Sequence, residues 1–276
     1  MLNPKFWRLV ALPLILLTSC STVSPDSDFR ARLSDLYQPV DSAADVSAEI
    51  RFGRTVAARY LGGVDGVDNN LMQRYVSTLG AYLVQYSGRS DIDFHFMVVD
   101  APTINAYAMP GGYIFLTSGA LALMQNEAEL AGVLAHEIAH VSEKHIVKAL
   151  NIRGLSSGAT LSQLASGASD AFRVALDQAT DLALNILQED GLQREDEFSA
   201  DEIALFIMVQ AGYAPDAYSD YLLRVSQTLG VALAQVSQTH PSFVERLDNL
   251  ASVKNANGLN GLNYALLADR FKVFNP

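Results

Sequence analysis

Residues 130–145 read LAGVLAHEIAHVSEKH, and within them His136-Glu137-Ile138-Ala139-His140 sets two histidines four residues apart. On an α-helix that spacing leaves them about 40° apart on one face, one turn above the other. Two imidazoles so placed can share one zinc ion at ~2.0–2.1 Å each. Glu137, one position along from His136, projects beside such an ion rather than onto it, where a general base for metal-activated water belongs. Leu130, Val133, Leu134, Ile138 and Val141 surround the motif with apolar side chains. A partly buried helix is therefore expected, not a surface helix with two incidental histidines.

A catalytic zinc site keeps three protein ligands and one open position. In the metzincin pattern the third ligand is a histidine six positions after the second, with a glycine between. Ile146 stands at that position here, and Glu143 replaces the glycine. His145 is close in sequence, but on a continuous helix it falls about 180° around from His136, so a helix-flank or cap role is expected for it. The missing ligand is sought in residues 193–202, QREDEFSADE, where Glu197 and Asp201 stand at i, i+4. The spacing suits a carboxylate ligand followed one turn later by an acid that accepts from the non-metal nitrogen of a histidine ligand. Glu189, Glu195, Asp196 and Glu202 compete, and spacing favours Glu197. His240-Pro241 follows Gln238-Thr239. A histidine near the site can donate to the oxyanion of a tetrahedral intermediate, although alone His240 reads as an ordinary loop residue.

Outward from these segments, residues 91–100 (DIDFHFMVVD) read as a strand with Ile92, Phe94, Phe96 and Val98 on one face. His95 falls on the other face, with a solvated or hydrogen-bonded role expected. Residues 105–109 and 113–117 flank Pro110-Gly111-Gly112, a hairpin signal. Residues 46–61 have helical spacing, and 69–87 put Leu71, Tyr75, Leu79, Tyr82 and Leu83 on one helical face. From Leu121 to about residue 253 the pattern is almost entirely helical, and the small-residue stretch 154–169 is expected to be flexible. The expected fold is α+β and predominantly α-helical, with a small β-sheet whose exposed edge strand lies next to the zinc helix.

The chain has 276 residues, half of them apolar and 18% charged, enough for a sizeable core. A net charge of −11 argues against nucleic acid as a partner. The one cysteine, Cys20, excludes an intramolecular disulfide. It closes the segment MLNPKFWRLVALPLILLTSC, where Lys5 and Arg8 flank an apolar run far short of the ~20 residues that span a bilayer. That segment resembles a bacterial lipoprotein signal with the lipobox LTSC. The resemblance implies cleavage before Cys20, lipidation of its thiol and, with Ser21 following, sorting to the outer membrane. The expected organisation is a signal peptide at 1–19, a lipidated N-terminus and tether at 20–45, and a metallopeptidase domain at 46–276.

Four ordered blocks carry a wider resemblance: NAYAMPGGYIFLTSGAL (105–121), HEIAHVSEKH (136–145), QREDEFSAD (193–201) and THPSFVERL (239–247). Over about residues 100–250 the chain resembles the HtpX-like, CAAX-prenyl-protease and BepA-type family of gluzincin metallopeptidases. The resemblance implies zinc ligands at His136, His140 and Glu197, Glu137 as base, and Asp201 supporting the site. It places His240 near the metal, where in some members this histidine occupies the open position and holds the enzyme inactive. It assigns Arg246 to substrate, and the segment Asn105, Ala106, Tyr107 to an edge strand that pairs with an extended peptide.

Two departures limit the transfer. No transmembrane helices follow the signal, and no tetratricopeptide array follows residue 250. The expectation is a compact lipoprotein endopeptidase on the periplasmic face of the envelope. It would cleave misfolded or misassembled envelope proteins, with envelope assembly machinery among its expected partners. The rival reading is a non-hydrolytic chaperone or assembly lipoprotein with a structural or regulatory zinc site. Glu137 speaks against it, because a structural site needs no base and usually fills its fourth position with cysteine. Self-inhibition by His240 or by residues 154–169 stays open.

Overall fold

The computed structural model describes residues 43–152, 170–229 and 241–275. The signal segment with Cys20, the tether to residue 42, the stretch 154–169 and His240 lie outside the described residues. Helices α1 (Ala43–Leu61) and α2 (Asn70–Val84) precede the strands β1 (His95–Val99), β2 (Ala106–Met109) and β3 (Tyr113–Thr117). The helices that follow are α3 (Ser118–Ala122), α4 (Glu127–Ser142), α5 (His145–Ile152), α6 (Asp170–Asn185), α7 (Arg194–Gln210), α8 (Asp216–Leu229), α9 (Phe243–Asn257) and α10 (Ala268–Phe274). The fold is the expected helix-dominated α+β type. No helix among the described residues is long and apolar enough to cross a membrane.

The sheet runs β1-β3-β2, with β1 parallel and β2 antiparallel to β3, so β2 forms one edge. The expected hairpin is present, closed by a short 3-10 turn at Pro110–Gly112. Gly112 has φ +93°, and a Cβ there would lie 2.4 Å from the Asp93 carbonyl oxygen, so only glycine fits. The Thr117 amide donates to the Asn105 carbonyl at 3.1 Å. Antiparallel pairs alternate between bonded and non-bonded. With Ala106 opposite Leu116 and Tyr107 opposite Phe115, the main-chain groups of Ala106 and Ala108 therefore face the open side of the sheet.

Helix α4 is buried along its whole length. Asn126 caps it by accepting from the Glu129 amide at 3.0 Å. Leu130, Leu134 and Ile138 have no exposed surface, and burying each contributes about 2 kcal/mol. The helix packs most extensively on α7, with β2 and α8 alongside. A Cβ at Gly132 would lie 2.7 Å from Tyr218 Cβ, so glycine lets α8 close directly onto α4.

Three details differ from the sequence reading. Helix α1 already begins at Ala43, three residues before the helical spacing read at 46–61. In α2 the buried stripe is Val76, Leu79, Gly80 and Leu83, whereas Leu71 is 61% exposed and Tyr82 is 38% exposed. The i, i+3, i+4, i+7 register through residue 76 wins because Phe96 lies over Gly80, where a Cβ would meet its ring at 2.5 Å. The third is the end of α4, which stops at Ser142.

Candidate metal centre

His136 and His140 are carried by the buried C-terminal half of α4, and Glu197 and Asp201 by the start of α7, which lies against it. The two Nε2 atoms face each other at 2.9 Å. Glu197 Oε2 is 3.6 Å from His136 Nε2, and Glu197 Oε1 is 3.5 Å from His140 Nε2. These three residues are the single buried His/carboxylate group of metal-binding geometry among the described residues, with ligand atoms within 4.8 Å of one another. Edges of this size match a tetrahedral ion with bonds of ~2.0–2.1 Å, for which ligand atoms stand about 3.3 Å apart. The rival acids fall away on burial: Glu189 and Glu195 are exposed, and Asp196 and Glu202 are only partly buried.

Asp201 has no exposed surface and lies 3.0 Å from His136 Nδ1. Burial pushes its carboxyl up, but Arg246 and the His136 hydrogen bond outweigh that and hold it below the usual range. Burial and then Arg246 work against a proton on His136, yet Asp201 and Glu197 outweigh both and hold the imidazole up at about 9. A field that favours a cation so strongly at this point also favours a divalent ion between the Nε2 atoms. On donor chemistry, spacing and field, the residues fit zinc.

Arg246, which the resemblance assigns to substrate, is buried against Asp201: Nε donates to Oδ2 at 3.0 Å and Nη2 to Oδ1 at 2.6 Å. Its Nη2 also lies 2.6 Å from the Tyr218 hydroxyl, which in turn donates to Asp201 at 3.0 Å. Tyr218 carries no sequence signal. It reaches the site because α8 crosses α4 at Gly132, a contact without local periodicity.

His145 stays outside the three-residue metal group, as expected, and at the start of a helix, but the path of the chain to it differs from the sequence reading. The helix does not continue through it: α4 ends at Ser142, Lys144 takes φ +57°, and α5 begins at His145. The 180° offset therefore does not apply. His145 is 2% exposed, with its Nδ1 2.8 Å from His140 Nδ1. Burial, then Lys148, pushes it down to about 3, so the ring is neutral.

Glu137 is 7% exposed and sits between two small cavities, both also lined by Ala106. One, about 30 Å³, is bounded by Ala108, His140, Leu192 and Glu197. The other, about 70 Å³, is bounded by Asn105, Val133, His136, Leu222, Phe243 and Arg246. The edge strand thus borders the cleft at Glu137. Tyr107 lines neither cavity, and its ring packs on Tyr60 at 5.2 Å. His95 is exposed and stacks on Tyr113, as a solvated strand histidine should. A larger cavity, about 550 Å³, lies at the opposite end of α4 around Tyr75, Glu127 and Tyr213. It lacks the metal-binding group, so volume is a poor guide to the chemistry here.

Two histidines on one helix, a carboxylate from a second, and a glutamate between them and an open sheet edge define a zincin-like metallopeptidase. The chain belongs to peptidase family M48, whose family model matches residues 70–254. It is similar to the beta-barrel assembly-enhancing protease of Escherichia coli K12, 27% identical over 248 residues that cover 87% of this chain and 50% of that protein. It is also similar to the mitochondrial metalloendopeptidase OMA1 of Schizosaccharomyces pombe, 34% identical over 176 residues, 63% of this chain and 50% of that one. The chain spans about half the length of these relatives.

Proposed function

We propose that this chain is a zinc-dependent endopeptidase that cleaves misfolded or misassembled proteins of the bacterial envelope, held by a lipid at Cys20 on the periplasmic face of the outer membrane. The observation that carries the reading is the convergence of His136, His140 and Glu197 within 4.8 Å, with Glu137 beside them in a cleft edged by β2. Zinc held there supplies Lewis acidity, activating water and polarising the scissile carbonyl. Glu137 takes a proton as the water oxygen bonds to the carbonyl carbon, and returns it to the amide nitrogen as the C–N bond breaks. Asp201 orients His136, and Arg246 keeps Asp201 ionised. His240, from the His-Pro block, donates to the developing oxyanion.

The substrate lies extended along β2, paired with the main chain of Ala106 and Ala108, with Asn105 at the end of the strand. Such pairing reads backbone more than side chains, which suits unfolded chains of varied sequence. The lipobox and the E. coli relative's name support the envelope setting, and β-barrel assembly machinery is the natural partner there. The test is incubation of the purified chain with casein and with an unfolded outer-membrane β-barrel protein. Cleavage should stop with a chelator and return with zinc. A zinc-loaded chain that cleaves neither substrate would reject the proposal.

A further inference from the structure

His145 lies outside the three-residue cluster and outside the chemistry proposed above. It is nevertheless buried against the site, its ring 5.0 Å from that of His140 and nearly perpendicular to it. Two ring nitrogens 2.8 Å apart share one proton: one donates, the other accepts. His140 turns Nε2 toward His136 and Glu197. A neutral imidazole that offers Nε2 as a lone pair carries its proton on Nδ1. His140 is then the donor of the pair and His145 Nδ1 the acceptor. The remaining His145 proton sits on Nε2, which faces Asp196 Oδ1 across 3.6 Å.

We propose that His145 is a positioning residue that fixes the tautomer and ring orientation of His140, as Asp201 does for His136. This rests on His140 being a metal ligand. The two ligands are thereby supported unequally, one by a carboxylate and one by a neutral imidazole, so His136 is the more basic donor. The backbone is shaped for the contact. An unbroken helix would put residue 145 about 140° away from His140. The left-handed Lys144, whose Nζ lies 3.1 Å from Glu49, folds the chain back instead.

The test compares full-length chains by zinc affinity, from chelator competition, and by the thermal midpoint of the metal-free protein. His145→Phe keeps a ring and removes the acceptor, whereas His145→Asn keeps an acceptor near the Nδ1 position and loses the ring. Zinc binding should weaken ~10–100-fold in H145F at a near-native metal-free midpoint, and by no more than about threefold in H145N. Wild-type affinity in H145F overturns the proposal, as does an H145N that loosens zinc as much as H145F, which assigns a packing role. ¹⁵N-histidine spectra of the zinc-loaded wild type decide the matter without substitution. A protonated Nδ1 on His140 and a bare Nδ1 on His145 are expected, and the reverse contradicts it. Failure of the wild type to bind zinc would instead defeat the metal reading beneath.

Discussion

Asp201 and Arg246 form a buried ion pair whose partners are fixed from three helices, and its value lies in what happens when half is removed. With Arg246→Met, Asp201 and Glu197 keep the His136 imidazole as their one buried cationic partner, so the loss should be somewhat below the ~3–5 kcal/mol of a fully uncompensated buried charge. Urea unfolding of the metal-free protein should show it. Arg59→Met breaks pairs to Asp177 and Asp181 whose side chains are all more than 40% exposed, and should cost less than about 1 kcal/mol. The candidate ligands were legible in the sequence because helical periodicity sets His136 one turn from His140 and Glu197 one turn from Asp201, and the family resemblance joined the two segments. Tyr218 was not, since its place depends on how two helices cross. The angular position of His145 was misread because it was counted along a helix that stops three residues earlier.

At the scale of elements, β2 joins the sheet to the chemistry. Its small residues Ala106 and Ala108 face the cleft, and their outward main-chain groups follow from the hairpin register. Ala108→Pro removes one outward N–H, and proline is tolerated on an edge strand. Peptide KM should rise about fivefold, the loss of roughly one hydrogen bond of ~1 kcal/mol, while the unfolding midpoint stays close to wild type. An unchanged KM would remove β2 from substrate binding. Gly132→Ala should act from the other side: its Cβ meets Tyr218 at 2.7 Å, costing about 1–3 kcal/mol by overpacking and loosening the Asp201 support. The hairpin could be read from Pro-Gly-Gly between alternating segments. The buried face of α2 could not, because apolar residues at Leu71 and Tyr82 extend the pattern beyond the stripe that the sheet covers.

Across the whole molecule, the far end of α4 ties the C-terminus to the core. Glu127 accepts from Tyr75 at 2.6 Å and also from Tyr213 and Arg270 of α10. Burial raises the Glu127 carboxyl, but Arg270, Tyr213 and Tyr75 outweigh it and hold it below 4.5. A depressed folded value means stabilisation that is complete above 4.5 and lost as pH falls through the folded value. The urea midpoint should drop across that window, and Glu127→Gln should shrink the drop. No motif announced this anchor, which assembles from residues 52 to 143 positions apart. The measurement that bears most directly on the account is zinc content alongside casein cleavage for wild type and Glu137→Gln. One zinc per chain in both, with cleavage ~10²–10⁴-fold lower in the variant, is predicted. A zinc-loaded Glu137→Gln chain that cleaves at the wild-type rate, or a wild type that binds no zinc, would contradict it.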